Sequence, residues 1–418
     1  MATPISRRSI LAAGAGAAAG LALPAAAQAT GGHAGTRIRF TLNAVTLDGG
    51  EQVVAVTLKT GRLGRIDPAS LTPASFSVHA KATSPIPIAP GDQIFSEYDL
   101  DRTVTAARLN RDGDIVLELA YAEGVTGGGT LGYIAGKGRN VQLDLVYTIT
   151  QNAPVVVRGR PVTFAAFAQG RLSNPEVDAF SYHVSGTGMK YRLFSPGRHH
   201  GKRPLVVWLH GGGEGASLPD NYYDNETTLR ANRGALGFAT REAQQIFGGA
   251  YVVAPQSQSF WLEDGDRFAP QIRQIIRDVA RRHDVDRDRI SVVGCSNGGY
   301  MSLKMTVEYP DLFASSVPIC GVVQSLDPGG PRQITDDELK AIDTPTWLVA
   351  SRDDDTVPPE PNTVHAHDLI PGSRLSLYDH VIWNGHQFPG HWSWIYVARN
   401  DPRQNGETIW QWMARQRN

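Results

Sequence analysis

The sequence predicts an α/β protein in two parts, an all-β sandwich followed by a mainly parallel sheet with helices on both faces. Residues 36–163 run as short alternating stretches punctuated by turns, whereas beyond a break at 164–175 the rhythm becomes strand, loop, helix. In addition, the loops that follow the later strands bring glycines, a serine, aspartates and histidines to one edge of that sheet.

The chain has 418 residues, which is long for one domain and comfortable for two behind a processed leader. That leader opens with Ser6-Arg7-Arg8-Ser9-Ile10-Leu11, continues through an Ala/Gly-rich stretch and closes on Ala27-Gln28-Ala29. Paired arginines, a weakly apolar segment and small closing residues predict a twin-arginine-type export signal over 1–29, cleaved after Ala29. Gly14, Gly16, Gly20 and Pro24 make it a poor spanning helix, and no later segment approaches the about 20 apolar residues a span needs. The expectation is a secreted or periplasmic protein with no membrane attachment once the signal is gone. A formal net charge of -1 supplies no basic excess, which argues against nucleic acid or an anionic membrane as the main partner. Two cysteines, Cys295 and Cys320, exclude a disulfide-dense scaffold.

The first unit, expected over 30–170, shows period-two patterning in Arg37-Ile38-Arg39-Phe40-Thr41-Leu42 and Val53-Val54-Ala55-Val56-Thr57-Leu58. Turn signals separate such runs at Asp48-Gly49-Gly50, Pro90-Gly91-Asp92, Asp112-Gly113-Asp114 and Gly127-Gly128-Gly129. Frequent turns and alternation mean a sandwich. No amphipathic helix and no cluster of ligand-type residues stands out here. Its expected roles are packing against the second unit, shaping the mouth of a site, or binding a polymer.

The second unit, expected over 171–418, begins with the continuous apolar run Leu205 to His210, as a strand covered on both faces should. Further strands are predicted at Tyr251 to Ala254, Ile290 to Val293, Ala314 to Ile319, Thr346 to Ala350 and Leu375 to Tyr378. Helical spacing of Ile272, Ile275, Ile276, Val279 and Ala280 predicts a helix over 270–283, with Pro270 in its first turn. Other helices are predicted over 300–308 and 408–416. Ligands of such sheets bind at the carboxyl ends of the strands, so the residues after each strand matter most.

After the strand ending at Val293 comes Gly294-Cys295-Ser296-Asn297-Gly298-Gly299, a G-x-S-x-G turn into a helix that would leave the Ser296 hydroxyl exposed. A serine nucleophile needs a base, and the base needs an orienting carboxylate. Ser351-Arg352-Asp353-Asp354-Asp355 follows the strand at 346–350; Asp354 is the expected orienter, with Asp355 in competition. His380, His386 and His391 lie beyond the next strand; His391 is the expected base, and His386 competes for the same loop. The loop His210-Gly211-Gly212-Gly213-Glu214-Gly215 would present N–H groups of Gly211 and Gly212, joined by the N–H of Asn297, to a developing oxyanion.

Together with Val317-Pro318-Ile319-Cys320-Gly321 and His391-Trp392-Ser393-Trp394, these motifs resemble secreted esterases that carry an N-terminal immunoglobulin-like domain. That group is related to polyhydroxybutyrate depolymerase-type and prolyl-oligopeptidase-type hydrolases. The resemblance covers about residues 181–418 and reaches the β unit by architecture only. It implies an α/β-hydrolase fold, an immunoglobulin-like first domain, and a triad of Ser296, Asp354 and His391. Asp354 matches the acid four residues ahead of a Val-Pro proline, here Pro358, and His391 matches the base of a His-x-Ser-Trp segment. Cys295 and Cys320 would end neighbouring strands, either as a disulfide or as two buried thiols.

The chemistry implied is hydrolysis of a small or polymeric ester through an acyl-enzyme, needing no metal or organic cofactor. Glu214, Trp261 and Trp392 are expected at the substrate, with Phe260, Trp383 and Trp394 in nearby loops. A serine peptidase, or a polymer-binding protein whose hydrolase site is vestigial, are the rival readings.

Overall fold

Alternating burial builds the first unit. A computed structural model describes residues 36–197, 200–325 and 330–418; the export signal expected over 1–29 lies outside them. Along Arg37–Leu47 every second side chain from Ile38 to Thr46 is buried, and Phe76–Thr83 alternates in the same way. The first strand belongs to a five-stranded sheet ordered Ala166–Ser173, Arg37–Leu47, Gly50–Leu58, Ile115–Leu119, Val104–Leu109. The second belongs to a three-stranded sheet ordered Asp144–Gln151, Phe76–Thr83, Tyr98–Arg102. Phe40, Val56 and Leu117 of one sheet share a core with Phe76, Val78 and Tyr147 of the other, which makes the unit a sandwich. Its last strand runs to Ser173 rather than stopping at the expected 170, because it pairs in parallel with Arg37–Leu47 as far as Asn43 with Ser173. A small third sheet, Ile94–Phe95, Leu131–Ile134 and Arg139–Gln142, projects toward the second unit.

The second unit is built on eight strands: β1 Phe180–Val184, β2 Lys190–Phe194, β3 Arg203–Leu209, β4 Tyr251–Pro255, β5 Val285–Cys295, β6 Ser315–Ile319, β7 Trp347–Ser351 and β8 Arg374–Tyr378. They lie in the order β1-β2-β4-β3-β5-β6-β7-β8. The β1/β2 and β2/β4 pairs are antiparallel and all the others parallel. Residues of β3, β4 and β6 are buried almost without interruption, as helices on both faces require. One face packs Leu205, Val207 and Val292 against Ile272, Ile275 and Met301; the other packs Val206, Trp208 and Val293 against Phe238, Trp410 and Ile395.

The helix expected from Pro270 begins at Gly265, so Pro270 lies inside it rather than in its first turn. Proline there removes one backbone donor near the helix start, and burial of Phe268 and Ala269 offsets that loss. No helix among the described residues is long and apolar enough to cross a membrane.

Buried charge joins the two units. Glu51, 2% exposed, accepts from Arg230 at 2.5 Å, Asn174 at 2.8 Å and Thr130 at 2.7 Å. Arg399 holds Asp48 through two bonds of 2.9 and 2.8 Å, and Arg233 donates to the Thr46 carbonyl at 2.7 Å.

Candidate active site

Strand β5 ends at Cys295, the helix Asn297–Glu308 starts two residues on, and Ser296 makes the whole turn between them with φ 55° and ψ -116°. A non-glycine residue held there stores on the order of 1–3 kcal/mol of strain, which the surroundings must over-determine. They do so by close packing: a Cβ on Gly298 would meet the Leu209 carbonyl, and one on Gly294 would meet the Gly298 carbonyl. The Ser296 N–H is tied to the Ile319 carbonyl at 2.8 Å. The serine side chain is thereby presented at the carboxyl edge of the sheet, on the wall of a cavity.

His391 and Asp354 meet at the same edge. Nδ1 of His391 donates to Oδ2 of Asp354 at 2.8 Å, while Oδ1 of Asp354 accepts from the N–H groups of Thr356 and Val357 at 2.9 and 2.8 Å. Asp354 is 2% exposed. The three consecutive aspartates separate cleanly: Asp353 pairs with the exposed His380 at 2.9 Å, and Asp355 faces solvent. His386 sits in a short hairpin strand, His386–Phe388, with its ring near Gly124 of the β unit and off the cavity wall. Burial opposes a charge on the His391 ring while the Asp354 carboxylate bonded to Nδ1 favours it, and the balance raises its pKa above 6.5. Ser296 and His391 line one cavity without a hydrogen bond between them, a contact that tightens on substrate binding in many such sites.

Cys295 and Cys320 are free, so the disulfide alternative gives way to two buried thiols. Cys320 donates to the His391 carbonyl at 3.3 Å and so braces the loop that carries the imidazole. Burial pushes the Cys295 thiol up, which leaves it a packing residue beside the serine.

The glycine loop is aimed by its neighbours. His210 is fully buried, and burial lowers its pKa to about 3, so its ring is neutral. Nε2 accepts from the Ser257 N–H at 3.0 Å, which leaves Nδ1–H to donate to the Gly211 carbonyl at 2.6 Å. Because the peptide is planar and trans, fixing that carbonyl turns the Gly212 N–H the opposite way. Arg139, from the β unit, donates to the next carbonyl, that of Gly212, at 2.8 Å, with its guanidinium 3.7 Å over the Phe260 ring. Asn297 is the first residue of its helix, so its N–H has no carbonyl one turn back to bond and is free for an anion. Gly211, Gly212 and Asn297, the expected oxyanion donors, all line the cavity.

Trp261 does not. It is fully buried, donates from Nε1 to the His210 carbonyl at 3.0 Å and packs on the His210 ring, so it supports the loop from beneath. The residues that do face the cavity are its neighbours Phe260 and Leu262, together with Trp392 and Trp394. Glu214 also faces it. The cavity, about 990 Å³, is closed on its far side by the β unit through Leu131, Tyr133 and Asn140. Sequence reasoning missed these three, because strand patterning marks them as ordinary sheet residues.

A model of the prolyl oligopeptidase family matches residues 248–327, a span that holds Ser296 but neither Asp354 nor His391. Poly(3-hydroxyalkanoate) depolymerase C of Paucimonas lemoignei is 37% identical over 131 residues, covering 28% of this chain and 28% of that protein. NocK of Nocardia uniformis subsp. tsuyamanensis, an esterase by name, is 28% identical over 156 residues, covering 35% of this chain and 43% of that protein. The chain thus matches less than half the length of either relative. A thermostable esterase of known structure superposes with a TM-score of 0.70 at 25% identity, covering 91% of this chain and 99% of that one. Fold and relatives together support a hydrolytic enzyme of α/β-hydrolase architecture.

Proposed function

We propose that this α/β-hydrolase is an exported serine esterase that works through an acyl-enzyme. The observation that carries the reading is the convergence, on one cavity wall, of a strained, half-buried Ser296 with an imidazole held by a buried carboxylate. In this reading Ser296 attacks the ester carbonyl while His391 takes its proton, and Asp354 holds the ring in the tautomer that leaves Nε2 free to accept. The N–H groups of Gly212 and Asn297 receive the oxyanion, and helix 297–308 adds the positive end of its dipole. His391 then returns the proton to the leaving alcohol, and water repeats the sequence to release the acid.

The leader at 1–29 supports export, and the two-sheet β unit supports an immunoglobulin-like assignment. Apolar walls from Leu131, Phe260, Leu262 and Trp392 support a substrate with an apolar group on at least one side of the ester.

The test is hydrolysis of a chain-length series of aryl esters by the purified protein and by Ser296→Ala. Turnover should fall by about 10⁴-fold or more in the variant with its thermal unfolding unchanged. Undiminished turnover would remove Ser296 from the mechanism. The family match over 248–327 favours one second reading, a peptidase; peptide amides cleaved faster than matched esters would establish it.

A further inference from the structure

We propose that the Asn297 side chain is a specificity-determining group of the cavity and selects esters whose acyl chain carries an ether or keto oxygen close to the scissile carbonyl. The proposal rests on the serine-esterase reading above and names a substrate class for it.

Asn297 directly follows Ser296 and is 5% exposed. The Leu262 N–H donates to its Oδ1 at 3.0 Å. A backbone N–H can only donate, so this bond fixes which end of the carboxamide is the oxygen and turns both Nδ2 hydrogens elsewhere. Nδ2 has no hydrogen-bond partner among the described residues, and unlike Nε1 of Trp394 on the same cavity it is not shut from solvent. A Cβ on Gly212 would stand 3.6 Å from Nδ2 and 3.1 Å from the Phe260 ring. The free donor therefore lies where the oxyanion loop, the serine turn and Phe260 meet. One residue thus brings two donors to the cavity: its backbone N–H for the oxyanion and its side-chain N–H for an atom beside it. A largely buried donor left alone is costly, and a substrate oxygen that accepts from it gains accordingly.

Its place points to the acyl side of the ester. The leaving oxygen has to reach His391, whose ring packs against Trp394 with centroids 5.6 Å apart. The acyl chain is left the wall of Phe260, Leu262 and Asn297, on which the amide is the polar exception. An ether or keto oxygen accepts without donating, which is the complement of an N–H pair. No lysine or arginine lines the cavity among the described residues, so the donor is neutral and suits an uncharged acceptor. Asn140 of the β unit, half-buried, carries another unpaired carboxamide, with its Nδ2 2.8 Å from where a Cβ on Gly213 would stand. It is one residue farther along the loop and is the competing donor that the test has to separate from Asn297.

The test compares two pairs of aryl esters, butanoate with methoxyacetate and pentanoate with β-methoxypropanoate, each pair differing by an oxygen in place of a methylene. The kcat/KM ratio within a pair is divided by the same ratio for hydroxide, which removes the intrinsic reactivity of the ester. For the native protein the corrected ratio should be about tenfold in favour of the ether in at least one pair. In Asn297→Leu, which keeps the backbone N–H and removes the side-chain donor, it should fall to about one, whatever the absolute rates. In Asn140→Leu it should persist. A corrected ratio near one for both pairs in the native protein would overturn the proposal, as would a ratio unchanged in Asn297→Leu or lost in Asn140→Leu. If Asn297→Leu does not fold, Asn297→Ala takes its place with the same expectation. Absence of turnover on all four esters by the native protein would instead defeat the esterase reading itself, and this proposal with it.

Discussion

Asp354 and Asp355 are adjacent in the chain and opposite in circumstance, and the difference shows how little of the chemistry belongs to residue type. Asp354 is enclosed, accepts two backbone N–H groups on one oxygen and holds His391 with the other. Asp355 points to water. Asp354→Asn should lower kcat by about 10⁴-fold, since an amide at that position supports the wrong imidazole tautomer; Asp355→Asn, measured beside it, should change kcat less than about twofold. The pH dependence follows from the same pair. In the proposed mechanism a protonated His391 cannot accept the serine proton, so the rate should fall as pH drops through its pKa. That pKa is raised, so the acid limb of kcat/KM should lie above 6.5 and move to lower pH in Asp354→Asn. An acid limb unmoved by the substitution would separate Asp354 from the titrating group.

The glycine loop owes its geometry to elements far apart in the chain. His210 turns one peptide from within, Trp261 supports it from below, and Arg139 reaches across from the β unit to hold the next carbonyl. Arg139 touches no reacting atom in this arrangement and acts by positioning. Arg139→Ala should reduce kcat by about tenfold, less than the 10²–10³ lost with a direct oxyanion donor. KM should change little and the melting temperature only slightly; a purely structural role would lower the melting temperature and spare kcat of the folded fraction. Arg139→Lys, which keeps the charge without the fork that spans Gly212 and the Phe260 ring, should recover only part of the rate.

The two units share one cavity, which makes the proposed activity a property of both. Leu131, Tyr133 and Asn140 close what would otherwise be an open sheet edge, so separating the units would expose apolar walls to water. Glu51 lies at the centre of the joint, buried with Arg230, Asn174 and Thr130. Glu51→Ala strands the Arg230 guanidinium with Glu226 as its remaining acid and should cost about 3–5 kcal/mol of stability, read from denaturant unfolding. A loss under about 1 kcal/mol would show that the joint is held by its apolar contacts instead.

The α/β order, the strand positions, the strand-to-helix turn at Ser296 and the residues Asp354 and His391 that meet at 2.8 Å were legible in the chain itself. Unbroken apolar runs, glycines flanking Ser296 and a fixed serine-acid-histidine order are local signals, and local sterics and burial enforce them. Boundaries were less so: the helix at Gly265 runs through Pro270, and the sandwich continues to Ser173, because burial and pairing outweigh the local stop signals. What the chain could not show was which side of a residue faces which space. Trp261 reads like a pocket tryptophan and is core; Tyr133 and Asn140 read like sheet residues and line the cavity. Trp261 is placed by packing on His210 within the second unit, whereas Tyr133 and Asn140 are placed by how the two units dock, through contacts such as Arg230 with Glu51 that span 179 positions of sequence, and no local pattern encodes either.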